Sequence, residues 1–415
     1  MSRLGDNAGM VISASTPVWR TPGMPAVLGM TLAGFSGFSA LMPVAPLWAA
    51  HGGADSVGVG AVNGVLMLFT VLTQPFVPAA VRRWGWGPVM AVGNLLLGLP
   101  ALGHLLSDDL RLILALAAVR GLGFGILTVT GSAAVANLVD PRRQGAAVGV
   151  YGLAIAVPQV LLMPAGPWLA EEVGFGVVFA AGAVPLLGCI PALLAGRSII
   201  VVPDDSPVTH SRRQVYRSLL RPMLLLLGVT LAGGALITFS SDLAGAAWLA
   251  TSALLLLTGA AALSRWRMGA WADRWGPGTF LWPLVLLTGL GLVLVAVSLS
   301  QEGGTAAALL LVGVLCVGLA YGGLQNLTLV LALSSVSRRD YGTASAVWNV
   351  GFDAGTGLGS VLVGAIAAGA SFTEALLVAA AISLATLPLA LVRRRGQPSR
   401  SSSTLSAKSD MVSSE

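Results

Sequence analysis

Charged residues are scarce in this sequence, and that scarcity limits the class of protein that it can be. Only 10% of the 415 residues are charged, whereas a typical soluble domain has about 25%. Hydrophobic residues make up 55%, and the mean hydropathy is +0.85. A chain of this composition has too little polar surface to cover a water-soluble globule, so soluble, fibrous and disordered classes are excluded.

Cysteine is rare as well. Cys189 and Cys316 are the only two, and both lie inside apolar runs, whereas a disulfide framework or a zinc site needs clustered cysteines. The sequence also lacks the H-E-x-x-H, G-x-S-x-G and Walker patterns of common catalytic and nucleotide sites. We therefore expect no enzymatic activity, no metal and no cofactor, and any transport must be driven by a gradient.

Long apolar runs are what the sequence has in abundance. They are about 20 residues long, which is the length that crosses ~30 Å of hydrocarbon as a helix. They do not alternate between apolar and polar residues as barrel strands do. The sequence therefore predicts an all-α polytopic membrane protein with twelve transmembrane helices. The predicted helices are residues 24–50, 57–81, 87–107, 111–139, 144–170, 173–196, 222–243, 245–266, 278–300, 305–334, 342–369 and 372–392.

A polar interruption after the sixth helix divides the chain into two halves. We expect a cytoplasmic N-terminal tail at 1–23, a six-helix bundle at 24–196, a cytoplasmic linker at 197–221, a second six-helix bundle at 222–392 and a disordered cytoplasmic tail at 393–415. The last segment is polar and Ser-rich, so it cannot bury enough apolar surface to order itself.

The loops of the two halves resemble each other. Arg82-Arg83-Trp84-Gly85 follows the second helix, and Asp273-Arg274-Trp275-Gly276 follows the eighth, about 190 residues later. Repeated loops in two six-helix halves predict two pseudo-symmetric bundles related by an axis along the membrane normal, which is how many transporters are built.

The basic residues are distributed unequally between the two ends of the predicted helices. The segments on one side hold 21 of the 23, whereas those on the other hold one, Arg111, together with eight acidic residues. Cytoplasmic loops carry the excess of Lys and Arg. We therefore expect both termini in the cytoplasm and the chain in the inner or plasma membrane. The net charge of +6 is then a topology signal and not a nucleic-acid footprint.

The loop after the eighth helix, Gly269-x-x-x-Asp273-Arg274-x-Gly276, is similar to the signature loop of the major facilitator superfamily. The resemblance covers residues 24–392. It implies that the loop aspartate docks against a helix end in the other half and latches one conformation, with these four residues as the latch. The matching loop in the first half has an arginine, Arg82, in place of the acid.

Two further motifs resemble the drug:proton antiporter branch of that family. The fourth helix carries Arg120 followed by glycines, and the fifth carries Gly166-Pro167, although the glycines expected around this pair are absent. The resemblance implies efflux of a drug-like molecule in exchange for protons.

Two charged residues lie deep inside the predicted helices, Arg120 and Asp353. A charge at the bilayer centre costs at least about 2.5–3.5 kcal/mol on insertion scales, so such a residue is a functional candidate. Both lie near the midplane, where transporters of this kind place substrate and coupling ions. We assign them to proton coupling, with Asp353 as the carrier, because a dry site favours the neutral acid. The alternatives are a structural ion pair, or an Arg120 that bonds carbonyl groups of a neighbouring helix.

Asp353 shares one helix face with other polar side chains, whereas three glycines at four-residue spacing form a separate stripe suited to close packing. Polar residues on other helices either line a cavity or form interhelical hydrogen bonds. The candidate cavity residues are Asn63, Thr70, Gln74, Tyr151, Gln159, Tyr321, Gln325, Asn349 and Thr356. The glycines are Gly351, Gly355 and Gly359. We expect His104, near the outer end of the third helix, at the membrane interface.

These features favour a secondary transporter that exports a small amphipathic organic molecule by alternating access, coupled to protons. One alternative is an uptake carrier for a monocarboxylate or another nutrient, with Arg120 as the carboxylate partner. A non-transporting membrane sensor on the same fold is another. The expected partners are the lipid bilayer, a small-molecule substrate and protons, with no nucleic acid, and the chain is expected to function as a monomer.

Overall fold

The structure of this chain is a computed structural model that describes residues 17–139, 143–199, 212–337 and 340–392. Over these ranges the chain is helical and has no strand, and twelve helices are long and apolar enough to cross a membrane. The all-α class and the number of spans are therefore confirmed. Residues 1–16, part of the predicted linker and the predicted C-terminal tail lie outside the described residues.

We number the spanning helices in chain order. They are α1 (Met24–His51), α2 (Ser56–Trp84), α3 (Trp86–Gly103), α4 (Leu110–Leu138), α5 (Gln144–Glu172), α6 (Phe175–Gly196), α7 (Arg212–Thr238), α8 (Ala247–Trp275), α9 (Gly278–Ser298), α10 (Gly303–Ser334), α11 (Tyr341–Gly369) and α12 (Phe372–Leu391).

α2 is interrupted near its C-terminal end. It consists of Ser56–Thr73 and Val77–Trp84, joined by a 3-10 turn at Gln74–Phe76. Proline has no backbone N–H and its ring crowds the preceding turn, so Pro75 breaks the α-helical hydrogen-bond ladder at this point. The break places Gln74 at a bend in the helix.

Two helices extend about ten residues further than the sequence predicts. α7 begins at Arg212 instead of 222, and α8 ends at Trp275 instead of 266. Hydropathy detects only the part of a helix that lies in hydrocarbon, whereas arginine side chains at a helix end can reach water while the backbone stays helical. The longer α8 moves Arg265 from the predicted end of a helix to its interior.

The internal repeat is visible in the way that α2 and α8 end. Gly85 and Gly276 follow the two helices with φ of +85° and +81°, a left-handed conformation that glycine adopts at little cost. The arginine before each helix end lies over the neighbouring tryptophan ring, at 5.7 Å for Arg83 and 5.0 Å for Arg274. Equivalent loops therefore have equivalent structures.

Successive helices run in opposite directions, which sorts most charged residues to the two ends of the bundle. We call these ends the acidic face and the arginine face. The acidic face carries Asp55, Asp108, Asp109, Glu171, Glu172, Asp242, Glu302 and Glu374, together with Arg111. The described part of the arginine face carries Arg82, Arg83, Arg143, Arg213, Arg217, Arg267 and Arg274.

The two halves pack together along α2 and α11 near the acidic face. A methyl group added at Gly60 would meet the backbone carbonyl of Ser360, and one added at Gly364 would meet that of Ser56. Small residues therefore allow the two backbones to approach closely. α5 packs against α8, which is the equivalent helix pair on the other side of the pseudo-symmetry axis. One apolar core includes residues of both halves.

Candidate functional site

Asp353 lies at the junction of the two halves. It is the thirteenth residue of α11 and only 3% exposed, about 18 Å from the arginine-face end of the helix at 1.5 Å per residue. Its Oδ2 accepts a hydrogen bond of 2.6 Å from Nε2 of Gln74, at the bend in α2. A single hydrogen bond thus links a carboxylate of the second half to an amide of the first.

This pair can respond to protonation. A carboxylate only accepts hydrogen bonds, whereas a protonated acid also donates one, and the glutamine amide offers both a donor and an acceptor. Oε1 of Gln74 is buried and has no hydrogen-bond partner among the described residues. The amide can therefore bond Asp353 in either protonation state.

Further polar side chains surround the pair. Tyr321 on α10 packs against Gly233 of α7, and its hydroxyl lies within reach of Thr356 and Gln325 and within electrostatic range of Asp353 and Arg265. We call six of these residues the polar cluster. Its members are Gln74, Arg265, Tyr321, Gln325, Asp353 and Thr356.

Arg265 is a third charged residue deep inside the described helices, which corrects the expectation of two. It lies about 15 Å from the arginine-face end of α8 and is half-buried. Its backbone carbonyl accepts a bond of 3.1 Å from Nδ2 of Asn326, whereas its guanidinium makes no hydrogen bond or ion pair with the described residues. Because the predicted helix ends at 266, Arg265 was expected at a helix end and not inside the helix.

The internal repeat was the signal that could have revealed Arg265. Gly85 and Gly276 are 191 residues apart, and so are Gln74 and Arg265. Gln74 is a candidate cavity residue, and the repeat makes Arg265 its counterpart in the second half.

Arg120 is not paired with Asp353. It is 1% exposed on α4, and its Nε and Nη2 have no hydrogen-bond partner within the described ranges. No ion pair joins it to Asp353 in the described part of the chain. His104 is within electrostatic range of Arg120. This histidine is fully buried at the outer end of α3, with its ring 5.2 Å from that of Phe179. It packs against protein, and its interfacial depth stays a prediction.

Two of the candidate cavity residues form interhelical hydrogen bonds. Nδ2 of Asn63 donates to the carbonyl of Met42 and to Oγ1 of Thr238, both at 2.9 Å, and so joins α2 to α1 and α7. Oγ1 of Thr70 donates to the carbonyl of Leu66 on its own helix at 2.8 Å and also to that of Gly121 on α4 at 3.2 Å. In this conformation both side chains form hydrogen bonds within the helix bundle, which is the alternative to lining a cavity.

The structure places the remaining three candidates apart from these contacts. Tyr151 is buried on α5 with its hydroxyl beside Gly131 of α4. Gln159 is half-buried on α5 and makes no hydrogen bond to the described residues. Asn349 donates to the carbonyl of Ser345 on its own helix. The described residues contain no group of three or more His, Cys, Asp or Glu that could hold a metal.

The predicted latch is described only in part. Gly269 lies inside α8, beside Asn326, and Gly276 ends the helix. Arg274 is exposed and lies over the ring of Trp275. The side chain of Asp273, which carries the predicted docking role, lies outside the described residues. The latch therefore stays a prediction.

Comparison with known proteins gives a consistent result. A family model described as the Major Facilitator Superfamily matches residues 27–243 and 223–413. The multidrug resistance protein MdtG of Klebsiella pneumoniae (strain 342) is 28% identical over 306 residues, which cover 68% of this chain and 73% of that protein. The purine ribonucleoside efflux pump NepI of Escherichia coli (strain K12) is 27% identical over 184 residues, which cover 44% of each chain.

Solved structures resemble the fold. A bacterial homologue of the human lysosomal transporter Spinster, in an inward-facing and unoccupied conformation, has a TM-score of 0.72 at 15% identity and covers 91% of this chain and 97% of its own. The nucleoside transporter NupG has a TM-score of 0.65 at 12% identity and covers 88% and 99%. At these identities the likeness concerns the fold alone.

Proposed function

Because the chain belongs to the Major Facilitator Superfamily of membrane transporters, we propose that it exports a small amphipathic organic molecule in exchange for protons. The family consists of transporters, so the chain is a multi-pass membrane transporter and not an enzyme. The finer proposal concerns the direction of transport, the class of substrate and the coupling ion.

The observation that carries the proposal is the hydrogen bond between Gln74 and Asp353. Transporters of this architecture work by moving one bundle relative to the other around a fixed central site. A proton can drive that motion only if its carrier changes its contacts between the two states. Asp353 meets this requirement because its 2.6 Å partner belongs to the opposite half.

The position of this bond supports a simple cycle. The halves are packed together near the acidic face, at Gly60 and Gly364, and the Gln74–Asp353 bond lies closer to the arginine face. Separation of the halves at the acidic face would pull the amide from the carboxyl group and let water reach it from that side. A proton taken up there and released towards the arginine face would move opposite to an exported substrate.

The character of the site and the named relatives support export of an amphipathic molecule. The polar cluster presents hydroxyl and amide groups among apolar helices, with two charged residues. MdtG and NepI are both named for efflux or drug resistance. Proton-coupled efflux is the function that accounts for these features together with a buried carboxyl group that is hydrogen-bonded to the opposite half.

The proposal is tested by flux in proteoliposomes with an imposed pH gradient of either sign. Lipophilic cations, weak organic acids and purine ribonucleosides are first screened for binding by thermal shift of the purified protein. We expect at least one bound compound to move opposite to the proton gradient. If the flux of every bound compound is the same with and without a pH gradient of either sign, proton coupling is contradicted.

A second candidate function is uptake of a monocarboxylate. It is favoured by Arg120, whose buried guanidinium has two nitrogens without a partner among the residues that the structure describes. These nitrogens could bond a substrate carboxylate. Uptake would move the acid in the same direction as the proton. The sign of the flux in the same proteoliposomes therefore separates the two candidates.

We propose that both termini are cytoplasmic, because the basic residues are concentrated on their side of the membrane. Reporter fusions after residues 52, 108, 172 and 302 should report the outside, and fusions after 84, 210 and 340 the cytoplasm. Fusions on the two sides of one helix serve as each other's control. A cytoplasmic signal after residue 172 would contradict this orientation.

We also propose that Asp273 acts in the conformational cycle and not in substrate binding. Asp273→Asn should slow transport while the substrate Kd changes by less than about threefold, or roughly 0.7 kcal/mol. Flux and equilibrium binding are measured on the same preparation. Asp340→Asn, which changes an acid at the same face outside the signature loop, is the matched control and should leave both unchanged. A large loss of affinity with normal turnover would place Asp273 in the binding site.

A further inference from the structure

Arg265 is a half-buried cation that the proposed proton step does not use. It lies in the interior of α8, about 15 Å from the helix end, and its guanidinium makes no hydrogen bond or ion pair with the described residues. It is half-buried, so it is not sealed off as Arg120 is. A charged residue that faces the interior of a transmembrane bundle is costly and normally marks a substrate or ion pathway.

The side chain lies towards the protein and not towards lipid. Tyr321 of α10 is within electrostatic range of Arg265, and the tyrosine ring packs against Gly233 of α7. The next residues along α8, Trp266 and Arg267, are exposed and lie against each other, with 4.7 Å from the guanidinium to the ring centroid. One helix therefore presents an inner cation and an outer cation two residues apart.

The internal repeat indicates which helix contact Arg265 belongs to. It is the counterpart of Gln74, which bonds Asp353 where α2 packs against α11. The equivalent contact is that of α8 with α5. Gly145 and Gly342 open the equivalent helices α5 and α11 at a spacing of 197 residues, and the residue 197 positions before Asp353 is Ala156.

No carboxylate of this chain stands where the repeat would place one. Ala156 has only a methyl group, and the next residue, Val157, is also apolar. The two equivalent contacts thus differ. At the α2–α11 contact an amide lies opposite an acid, whereas at the α8–α5 contact the repeat places no acid opposite the guanidinium. Among the described residues Arg265 has no anionic partner, so an anion from outside the chain would fit this place.

We propose that Arg265 binds the anionic group, a carboxylate or a phosphate, of the molecule that this protein transports, between α8 and α5. This proposal rests on the proposed transport function and specifies its substrate as an organic anion with an apolar body. The planar guanidinium donates two parallel hydrogen bonds to such a group, and Tyr321 lies beside it. Proton and substrate then occupy pseudo-equivalent places in the two halves, the proton at Asp353 and the anion at Arg265.

The first test needs no ligand. Arg265→Met keeps the volume of the side chain and removes the charge, and Arg267→Met makes the same change at the outer cation. The melting temperature of the empty protein is measured in zwitterionic detergent without anionic lipid. We expect Arg265→Met to melt at or above the wild-type temperature, because an uncompensated buried charge is removed, and Arg267→Met to be unchanged. A lower melting temperature for Arg265→Met alone would make Arg265 a structural residue and overturn the proposal.

The second test uses acids and their uncharged amides of the same shape, namely benzoate with benzamide and 1-naphthoate with 1-naphthamide. The wild type should bind at least one acid about tenfold more tightly than its amide, which is about 1.4 kcal/mol. Arg265→Met should abolish this preference, Arg265→Lys should keep part of it, and Arg267→Met should keep all of it. The absence of a preference in the wild type, or its survival in Arg265→Met, would overturn the proposal.

A lipid phosphate offers the same chemistry and is separated by a further arm. The melting measurement is repeated in nanodiscs with and without phosphatidylglycerol. Stabilisation by this lipid that depends on Arg265, without any preference for the acids, would assign the site to lipid and overturn binding of the transported anion. These measurements involve no pH gradient, and Asp353→Asn should retain the acid preference. A failure of proton coupling therefore leaves the acid preference of the wild type unchanged. In the same way, a failure to find that preference leaves the test of proton coupling unchanged.

Discussion

Asp353→Asn is expected to abolish transport driven by a pH gradient while leaving substrate binding intact. Asparagine has the shape of the protonated acid but cannot release a proton, and it can still bond Gln74 across the two halves. The variant should accumulate no more substrate than empty liposomes when a gradient is imposed. Its Kd should stay within about threefold of the wild type, or roughly 0.7 kcal/mol, and exchange of substrate across the membrane should survive.

Two variants control for this result. Asp340→Asn makes the same substitution just before α11, at the arginine face, and should transport normally. Asp353→Glu keeps an ionisable group at the site and should retain part of the activity with a shifted pH optimum. If Asp353→Asn still accumulates substrate in response to the gradient, Asp353 is a structural residue and the proton follows another route.

Gly364→Val is expected to shift the protein away from the conformation described here. A side chain at this position would meet the backbone carbonyl of Ser56, which cannot move aside as the end of a flexible side chain could. Overpacking of this kind costs about 1–3 kcal/mol, which corresponds to a change of about 5- to 150-fold in the equilibrium between two states. The halves should therefore separate at the acidic face, and transport should fall sharply.

Accessibility of a reporter thiol measures that shift. Met67 contacts Gly357 between the two halves and is 1% exposed. Met67→Cys, in a background without Cys189 and Cys316, should react slowly with a water-soluble reagent and faster when Gly364→Val is added. Gly369→Val is the matched control, because a side chain there meets no atom within 4 Å. Equal labelling rates for the two valine variants would show that the α2–α11 contact does not control access from this face.

The glycine stripe of α11 shows what a local sequence pattern predicts about packing and what it does not. The four-residue spacing of Gly351, Gly355 and Gly359 predicts a close-packing surface, and the three glycines do pack closely, against α7. The spacing does not identify the partner helix. Gly357 and Gly364, which lie between and beyond them, contact α2 instead. One helix thus uses two glycine faces, one for packing within its own half and one for the contact with the other half.

The sequence by itself determined that this chain is a helical membrane protein with twelve spans in two repeated halves. These properties depend on the length of apolar runs and the recurrence of loop residues, and both are local in the chain. The unequal distribution of arginine is local in the same way and predicts the orientation. Helix ends were less well determined, because a helix continues past the hydrocarbon wherever its side chains can reach water.

Only the tertiary structure decided which polar residues meet. Arg120 and Asp353 were the two obvious charges, yet Asp353 bonds Gln74. Arg120 is enclosed elsewhere, and two of its nitrogens have no partner in the described part of the chain. Arg265 joined the polar cluster because the packing of α8 against α10 brings it within electrostatic range of Tyr321. Such meetings depend on the rotation and depth of each helix and on the packing of one half against the other. A single helix carries no record of these quantities, because they arise only when all twelve helices pack.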